Sequence, residues 1–293
     1  MWLIELILYL ALFLFVLFHA LTYSIRWYEE AKRRGEEHSL WEFPPRLILP
    51  ILAEMLCHAL MLILTAADLA IGLARRAWNR WAPSPGAEGS QKADPFPPAP
   101  TAGRPVILVH GMGMRGLAMW PLALRLRRHG KTVHLFTYGP LRESVEGYAR
   151  QLHDFAEGLR RERGHEDFDV AAHSLGGLVA RRCMQMYEGS HRIRRLVTLG
   201  APHGGSELWR FSILPAGRQL RPGGELIRAL NEAGLPPGVE AWAIASDFDE
   251  LVVPNASARW EAPGVTNIAV ENLGHARMLF SGEVCAHVRK ALA

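Results

Sequence analysis

The stretch Val170-Ala171-Ala172-His173-Ser174-Leu175-Gly176-Gly177 narrows the possible folds of this chain more than any other. A strand-like run from Phe168 to Ala172 stops at Ser174. Two glycines follow, and then Leu178, Val179, Cys183 and Met186 recur at helical spacing. A strand that turns directly into a helix holds the turn residue in strained backbone geometry, with its side chain lifted above the sheet. Small neighbours are needed because strand and helix pass close together. The pattern is G-x-S-x-G with Ala172 in the place of the first glycine, a change that still avoids bulk. A serine at such a turn is a poor nucleophile alone, so the rest of the chain must supply a base, an acid and oxyanion donors.

The flanking sequence fits that demand. Val106–Val109, Thr132–Tyr138, Phe168–Ala172, Ile193–Leu199, Ala241–Ala245 and Val265–Val270 read as strands. Helical patterns at Leu117–Arg128, Glu143–Arg163 and Leu175–Tyr187, with a closing helix from Ala276, lie between or after them. Such alternation, with runs of Val, Ile and Leu, predicts an α/β domain over residues 105–293: a mostly parallel sheet with helices on both faces. A small cap is expected around residues 207–231.

The first third has a different texture. Trp2 to Tyr23 is almost unbroken hydrocarbon with Glu5 its only charge, and a second apolar segment runs from Leu47 to Leu73. About twenty apolar residues suffice to span a bilayer. Glu54, His58 and Asp68 interrupt the second segment, and each charge costs about 2.5–3.5 kcal/mol at a helix centre, less toward the ends. Residues 1–81 are therefore expected to form a membrane anchor, a transmembrane helical hairpin with spans at 2–23 and 47–73. An amphipathic second helix on the membrane surface is the alternative. Arg26, Lys32, Arg33, Arg34 and Arg46 between the segments would keep the connector cytoplasmic, and the remainder periplasmic in a bacterial inner membrane. Residues 82–104, rich in Pro with Gly and Ser, read as a linker.

Several functions are disfavoured. The net charge is +4, but the basic residues are scattered, with no basic stripe interleaved with aromatics, so no nucleic-acid partner is expected. Three cysteines make no disulfide framework, and the thirteen histidines include no H-E-x-x-H or Cys/His cluster. Neither metal nor cofactor is expected. Gly111-Met112-Gly113-Met114-Arg115-Gly116 is a literal G-x-G-x-x-G, yet the next strand ends Phe136-Thr137-Tyr138-Gly139, with no acid to hold a ribose. The loop is better suited to turn free N–H groups toward the oxygen of an attacked carbonyl. Those of Met112 and of Leu175, after the nucleophile, are the expected donors.

An acid is expected after a late strand, where Asp247 and Asp249 compete. Asp249 is preferred because Asp-x-x-Val-Val-Pro sets it on the loop with apolar residues anchoring the next turn, and Asp247 reads as a turn cap. The base is expected on the last strand-to-helix loop, at His275 in Asn272-Leu273-Gly274-His275; His287 lies within a helical pattern. His173 is expected to point away from the serine, and His203 to be a loop residue. Met112, Met114, Leu117, Met119 and Trp120, with Trp209 of the cap, are candidates to line an apolar acyl pocket. The order Ser174, Asp249, His275 is that of one fold among those carrying a serine triad.

Val109-His110-Gly111, Ala172-His173-Ser174-Leu175-Gly176-Gly177, Thr198-Leu199-Gly200-Ala201-Pro202-His203-Gly204-Gly205, Asp249-x-x-Val252 and Gly274-His275 together carry a resemblance. From Pro105 onward the chain resembles bacterial lipases of the α/β-hydrolase superfamily with an Ala-His-Ser-x-Gly elbow, and the bacterial relatives of the GPI inositol-deacylase group. The resemblance implies a Ser174–Asp249–His275 triad, an oxyanion hole at Met112 and Leu175, and hydrolysis of acyl-lipid esters. Residues 1–81 stand outside it. Acyl transfer through the same acyl-enzyme, or a non-catalytic membrane scaffold with this fold, are the alternatives the residues leave open.

Overall fold

A computed structural model of the chain describes residues 2–35, 47–81, 103–187 and 192–293. The expected connector between the apolar segments, and the linker up to residue 102, lie outside these. The domain is built on β1 (Val106–Val109), β2 (Val133–Phe136), β3 (Phe168–His173), β4 (Ile193–Leu199), β5 (Glu240–Ser246) and β6 (Val265–Val270). Among the described residues they form one six-stranded sheet in the order β2-β1-β3-β4-β5-β6, and every pairing is parallel. β1 pairs with both β2 and β3, so the chain moves outward in one direction after β1 and in the other after β3. A reversal of that kind opens a crevice at the carboxyl ends of the strands, where ligands bind in open α/β sheets.

Alternation along the strands divides the core. Ile107, Val109, Val170, Ala172 and Ala243 face one apolar layer. This layer is closed by α4 (Val145–Arg163), α5 (Leu175–Met186) and α7 (Glu225–Ala233). Val106, Leu108, Ala171, Val197 and Ile244 face the other, closed by α3 (Trp120–Arg128), α8 (Arg277–Phe280) and α9 (Gly282–Ala291). The helix expected over 117–128 begins as a 3-10 turn, Gly116–Met119, and restarts as α3 with Pro121 in its first turn. Proline lacks the N–H that a continuous helix would need there. The closing helix divides at Ser281, whose hydroxyl accepts from the Val284 N–H at 3.3 Å and caps α9.

The expected cap also divides. Glu207–Phe211 and α6 (Pro215–Arg218) lie over the loop after β1, where a Cβ on Gly217 would sit 3.1 Å from Met112 Sδ. Helix α7 instead buries Leu226, Ile227 and Leu230 and belongs to the helical layer.

The apolar segments form α1 (Trp2–Arg34) and α2 (Ile48–Trp81), two helices long and apolar enough to cross a membrane. They do not stand clear of the domain. On α2, Glu54, His58 and Met61 are buried. Thr65 Oγ1 meets Met114 Sδ at 3.5 Å. Asp68 pairs with Arg115 Nε at 3.1 Å and accepts from Leu117 N at 3.2 Å. On α1, Tyr23 packs on Phe248 with ring centres 5.1 Å apart, and Arg26 donates to Asn255 Oδ1 at 3.2 Å and to the Asp247 carbonyl. The charges that counted against the second segment thus find partners in the domain. Leu10, Phe13, Leu17, Leu49, Leu56 and Ile63 face outward, exposed.

Candidate active site

Ser174 joins β3 to α5 with φ 56° and ψ −129°, the left-handed region that costs a β-carbon-bearing residue about 1–3 kcal/mol. The surroundings over-determine it. The Ser174 N–H donates to the Leu199 carbonyl at 2.9 Å, and its own carbonyl accepts from Gly177 N at 3.0 Å. Gly176 is obligatory here, because a Cβ would sit 2.6 Å from the His110 carbonyl oxygen and 2.7 Å from that of Val109. The expected elbow is present, and it lies beside the loop after β1.

Asp249 follows β5 and is fully buried. Its Oδ1 accepts from Leu251 N at 2.8 Å and Val252 N at 2.9 Å, leaving Oδ2 for His275 Nδ1 at 2.8 Å. Burial pushes the Asp249 carboxyl up, but His275 and the two N–H donors outweigh it and hold it below its usual range. Burial pulls the His275 imidazole down, and Asp249 more than restores it, so it stands above an ordinary histidine. Asp247 takes the role expected of a cap, accepting from Asn272 N at 2.9 Å. His287 sits on α9.

His275 packs against His173, the residue that precedes Ser174. The His173 ring lies 4.5 Å from that of His275, and its Nε2 is 3.0 Å from the His275 carbonyl. Since a carbonyl only accepts, that nitrogen carries the proton. Burial and the neighbouring His275 hold His173 down at about 3, so it stays neutral against the His275 ring. It does more than point away. Among the described residues Ser174 Oγ makes no hydrogen bond; such contacts often tighten only once substrate is bound.

The loop after β1 is fixed from below. The His110 ring stacks on Tyr138 with centres 4.0 Å apart, Nδ1–H donates to the Gly111 carbonyl at 2.8 Å, and Nε2 accepts from Tyr138 N at 3.3 Å. Gly111 lies against the nucleophile: a Cβ there would be 3.0 Å from Ser174 Cβ. Among the described residues neither the Met112 nor the Leu175 N–H has a hydrogen-bond acceptor. Two unengaged donors flanking a serine are what a tetrahedral oxyanion requires.

The expected pocket residues separate. Met112 and Trp209 pack on the α4/α5/α7 side, under the cap. Met114 and Trp120, with the buried Met119, pack on the opposite layer. Leu117 donates its N–H to Asp68. Met114 and Trp120 therefore pack on the layer opposite Met112, and the Leu117 backbone meets α2.

Two features escaped the sequence. His203 is a buried network residue: Arg181 Nη1 donates to its Nδ1 at 3.0 Å, and its Nε2–H meets Thr198 Oγ1 at 2.9 Å. Arg181 also donates to the Leu230 carbonyl and to Asn231 Oδ1, and its guanidinium lies 4.2 Å from the Trp260 ring centre. Burial pulls Arg181 down to about 9, so it remains charged at neutral pH. Arg181→Ala is expected to destabilise the fold by about 3 kcal/mol, because it opens a cavity and strands several acceptors. A chemical-denaturation midpoint equal to wild type would refute that. The second feature is a pair of buried carboxylates behind His275. Glu250 Oε2 accepts from His275 N at 3.0 Å, and Glu54 of α2 accepts from Ala276 N and, at 3.0 Å, from Arg277 N. Burial, with Glu54 and Asp249 close by, pushes the Glu250 carboxyl well above its usual range.

Residues 105–222 match the Palmitoyl protein thioesterase family, a stretch that includes Ser174 but stops short of Asp249 and His275. Comparison with curated proteins gives no match. Among solved structures, the mature lipase BlEst2 of Bacillus licheniformis is 17% identical with a TM-score of 0.57, over 67% of this chain and 94% of that one. A Listeria innocua gene product is 18% identical with a TM-score of 0.52, over 65% and 94%. The monoacylglycerol lipase of Paleococcus ferrophilus is 16% identical with a TM-score of 0.50, over 65% and 94%. At such identities the likeness is one of fold: the α/β-hydrolase fold.

Proposed function

We propose that this chain, an α/β-hydrolase by fold, is a serine hydrolase that cleaves carboxylic esters of acyl lipids at a membrane. The observation that carries the reading is the strained Ser174 elbow together with the buried 2.8 Å His275–Asp249 pair. Ser174 Oγ attacks the acyl carbonyl as His275 Nε2 takes its proton. Asp249 holds the imidazole in the Nδ1–H tautomer and stabilises the imidazolium. The N–H groups of Met112 and Leu175 receive the oxyanion, and His275 then protonates the departing alcohol. Water repeats the sequence on the acyl-enzyme. The same steps serve a thioester, and the matched family's name puts acyl thioesters among the substrates to test.

Lipid as the substrate is supported by the exposed apolar side chains. Phe211 and Ile213, 66% and 84% exposed, flank the cap segment over Met112. The outward faces of α1 and α2 carry many exposed apolar side chains, among them Leu10, Phe13, Leu17, Leu49, Leu56 and Ile63, and form the membrane anchor in this reading, presenting lipid to a tethered domain at high local concentration. A periplasmic domain is part of the proposal. A reporter fused after Arg104 should be active only outside the cytoplasm, and cytoplasmic activity would reverse the orientation.

The two aspartates separate by their effect on turnover. Asp249→Asn should lower kcat by about 10³–10⁴-fold through loss of the productive tautomer. Asp247→Asn should change it by less than about 10-fold, since that carboxylate only caps a turn. The reverse ranking would reassign the acid.

A further inference from the structure

On the docked face of the helical hairpin, four side chains with lone pairs meet in a space closed to solvent. His19 of α1, Glu54 and His58 of α2, and Glu250 beside Asp249 are 1%, 0%, 6% and 0% exposed. His58 Nδ1 is their common neighbour. His19 Nε2 lies 3.0 Å from it, Glu54 Oε1 3.4 Å and Glu250 Oε1 3.8 Å.

Three of these groups are held from behind. His19 Nδ1 is 2.9 Å from the Phe15 carbonyl, which only accepts, so Nδ1 carries the proton and Nε2 turns a lone pair inward. Metal-binding histidines are oriented in this way, with one ring nitrogen donating to a carbonyl and the other free to ligate. The two carboxylates take the backbone N–H groups of residues 275, 276 and 277. Glu250 Oε1 faces the cluster with no hydrogen-bond partner, though the residue is wholly buried. The buried Tyr23 hydroxyl lies beside the same carboxylate.

Charge points the same way. Among the described residues His58 is the only ion-pair partner of either carboxylate. Two buried carboxylates answered only by backbone N–H groups and a histidine need shared protons or a cation, since uncompensated buried charge costs several kcal/mol per ion. A divalent cation neutralises both and accepts two imidazole lone pairs as well. Metal–ligand distances of about 2.0–2.2 Å in a tetrahedral site set neighbouring ligand atoms about 3.3–3.6 Å apart. Glu54, His58 and Glu250 offer ligand atoms that all lie within 4.8 Å of one another, close enough to be drawn onto one ion, and His19 Nε2 stands 3.0 Å from His58 Nδ1.

We propose that Glu54, His58 and Glu250, joined by His19 Nε2 beside His58 as the fourth donor, form a buried structural site for a divalent transition metal, with Zn(II) the ion that suits its two-nitrogen, two-oxygen donor set. Mg(II) and Ca(II) prefer all-oxygen ligands and more of them. The ion fastens both hairpin helices to the loop carrying Asp249 and to the backbone of His275. It stands behind the base, outside the reacting groups.

The test uses the full chain purified in detergent, stripped with a chelator and dialysed against ZnCl2. It is expected to retain about one zinc per chain by elemental analysis, as a closed four-ligand site binds tightly. His19→Ala and His58→Ala should each weaken binding at least about 10-fold, while His129→Ala, at an exposed site on the end of α3, should not. Co(II) in the stripped protein should give the intense visible bands of a four-coordinate ion. Zinc well below stoichiometric amounts, zinc undiminished in His58→Ala, or a six-coordinate cobalt spectrum would each overturn the proposal. If the alanine variants do not fold, the cobalt spectrum of the unaltered protein decides alone. These readouts are bound metal and its geometry, so failure here leaves the hydrolase reading untouched.

Discussion

Ser174→Ala is expected to reduce kcat by about 10⁴–10⁶-fold and to leave the fold in place. The size of the effect follows from the unit character of a triad: without the nucleophile, His275 and Asp249 have nothing to activate, and only binding and the oxyanion donors still lower the barrier. The fold should survive because Oγ makes no hydrogen bond among the described residues, while the bonds that fix the elbow are made by backbone groups of Leu199 and Gly177. Thermal unfolding of the variant should therefore match wild type closely. Covalent labelling by a fluorophosphonate should vanish with it. A Ser174→Ala protein that keeps most of its esterase activity would remove the serine-hydrolase reading altogether.

Glu54→Ala should have the largest effect of any change outside the catalytic domain. Glu54 lies far back in the sequence, on α2, yet its carboxylate holds two consecutive N–H groups just after His275. Truncation leaves both donors buried and unpaired, at about 1–3 kcal/mol each. The melting temperature of the full chain in detergent should fall by about 4–24 °C, taking about 2–4 °C per kcal/mol for a domain of this size. The loop should also loosen, so that kcat falls while KM moves little. Residues 103–293 expressed without the hairpin should be unstable for the same reason, having also lost Met61 from the packing of the second apolar layer. If that fragment folds and turns over substrate like the full chain, the hairpin is only a tether.

Much of the domain was legible because its signals are local. Strand–helix alternation, the elbow around Ser174 and the loops ending in Asp249 and His275 each depend on a few neighbouring residues. All six expected strands appear within a few residues of their expected bounds. The pocket was harder. Met114 and Trp120 sit close to Met112 in sequence, but a turn at Gly113 (φ 74°) carries them to the opposite apolar layer. A turn of that kind reverses direction within two residues, and apolar composition does not record it. His173 and His203 looked incidental because histidine spacing says nothing about burial. One packs against the His275 ring; the other anchors Arg181 inside the helical layer.

The sequence by itself determined the class of sheet and the sharp strand-to-helix turn at Ser174, because each follows from short-range periodicity or from what such a turn tolerates. It also marked two segments apolar enough for a membrane. What those segments do to the site was decided only in three dimensions. Glu54 and His58 sit one helical turn apart on α2, and His19 and Glu250 approach them from 39 residues before His58 and from the far end of the domain. Buried polar groups must find partners wherever the fold brings them, and such pairing across the whole chain leaves no pattern along it.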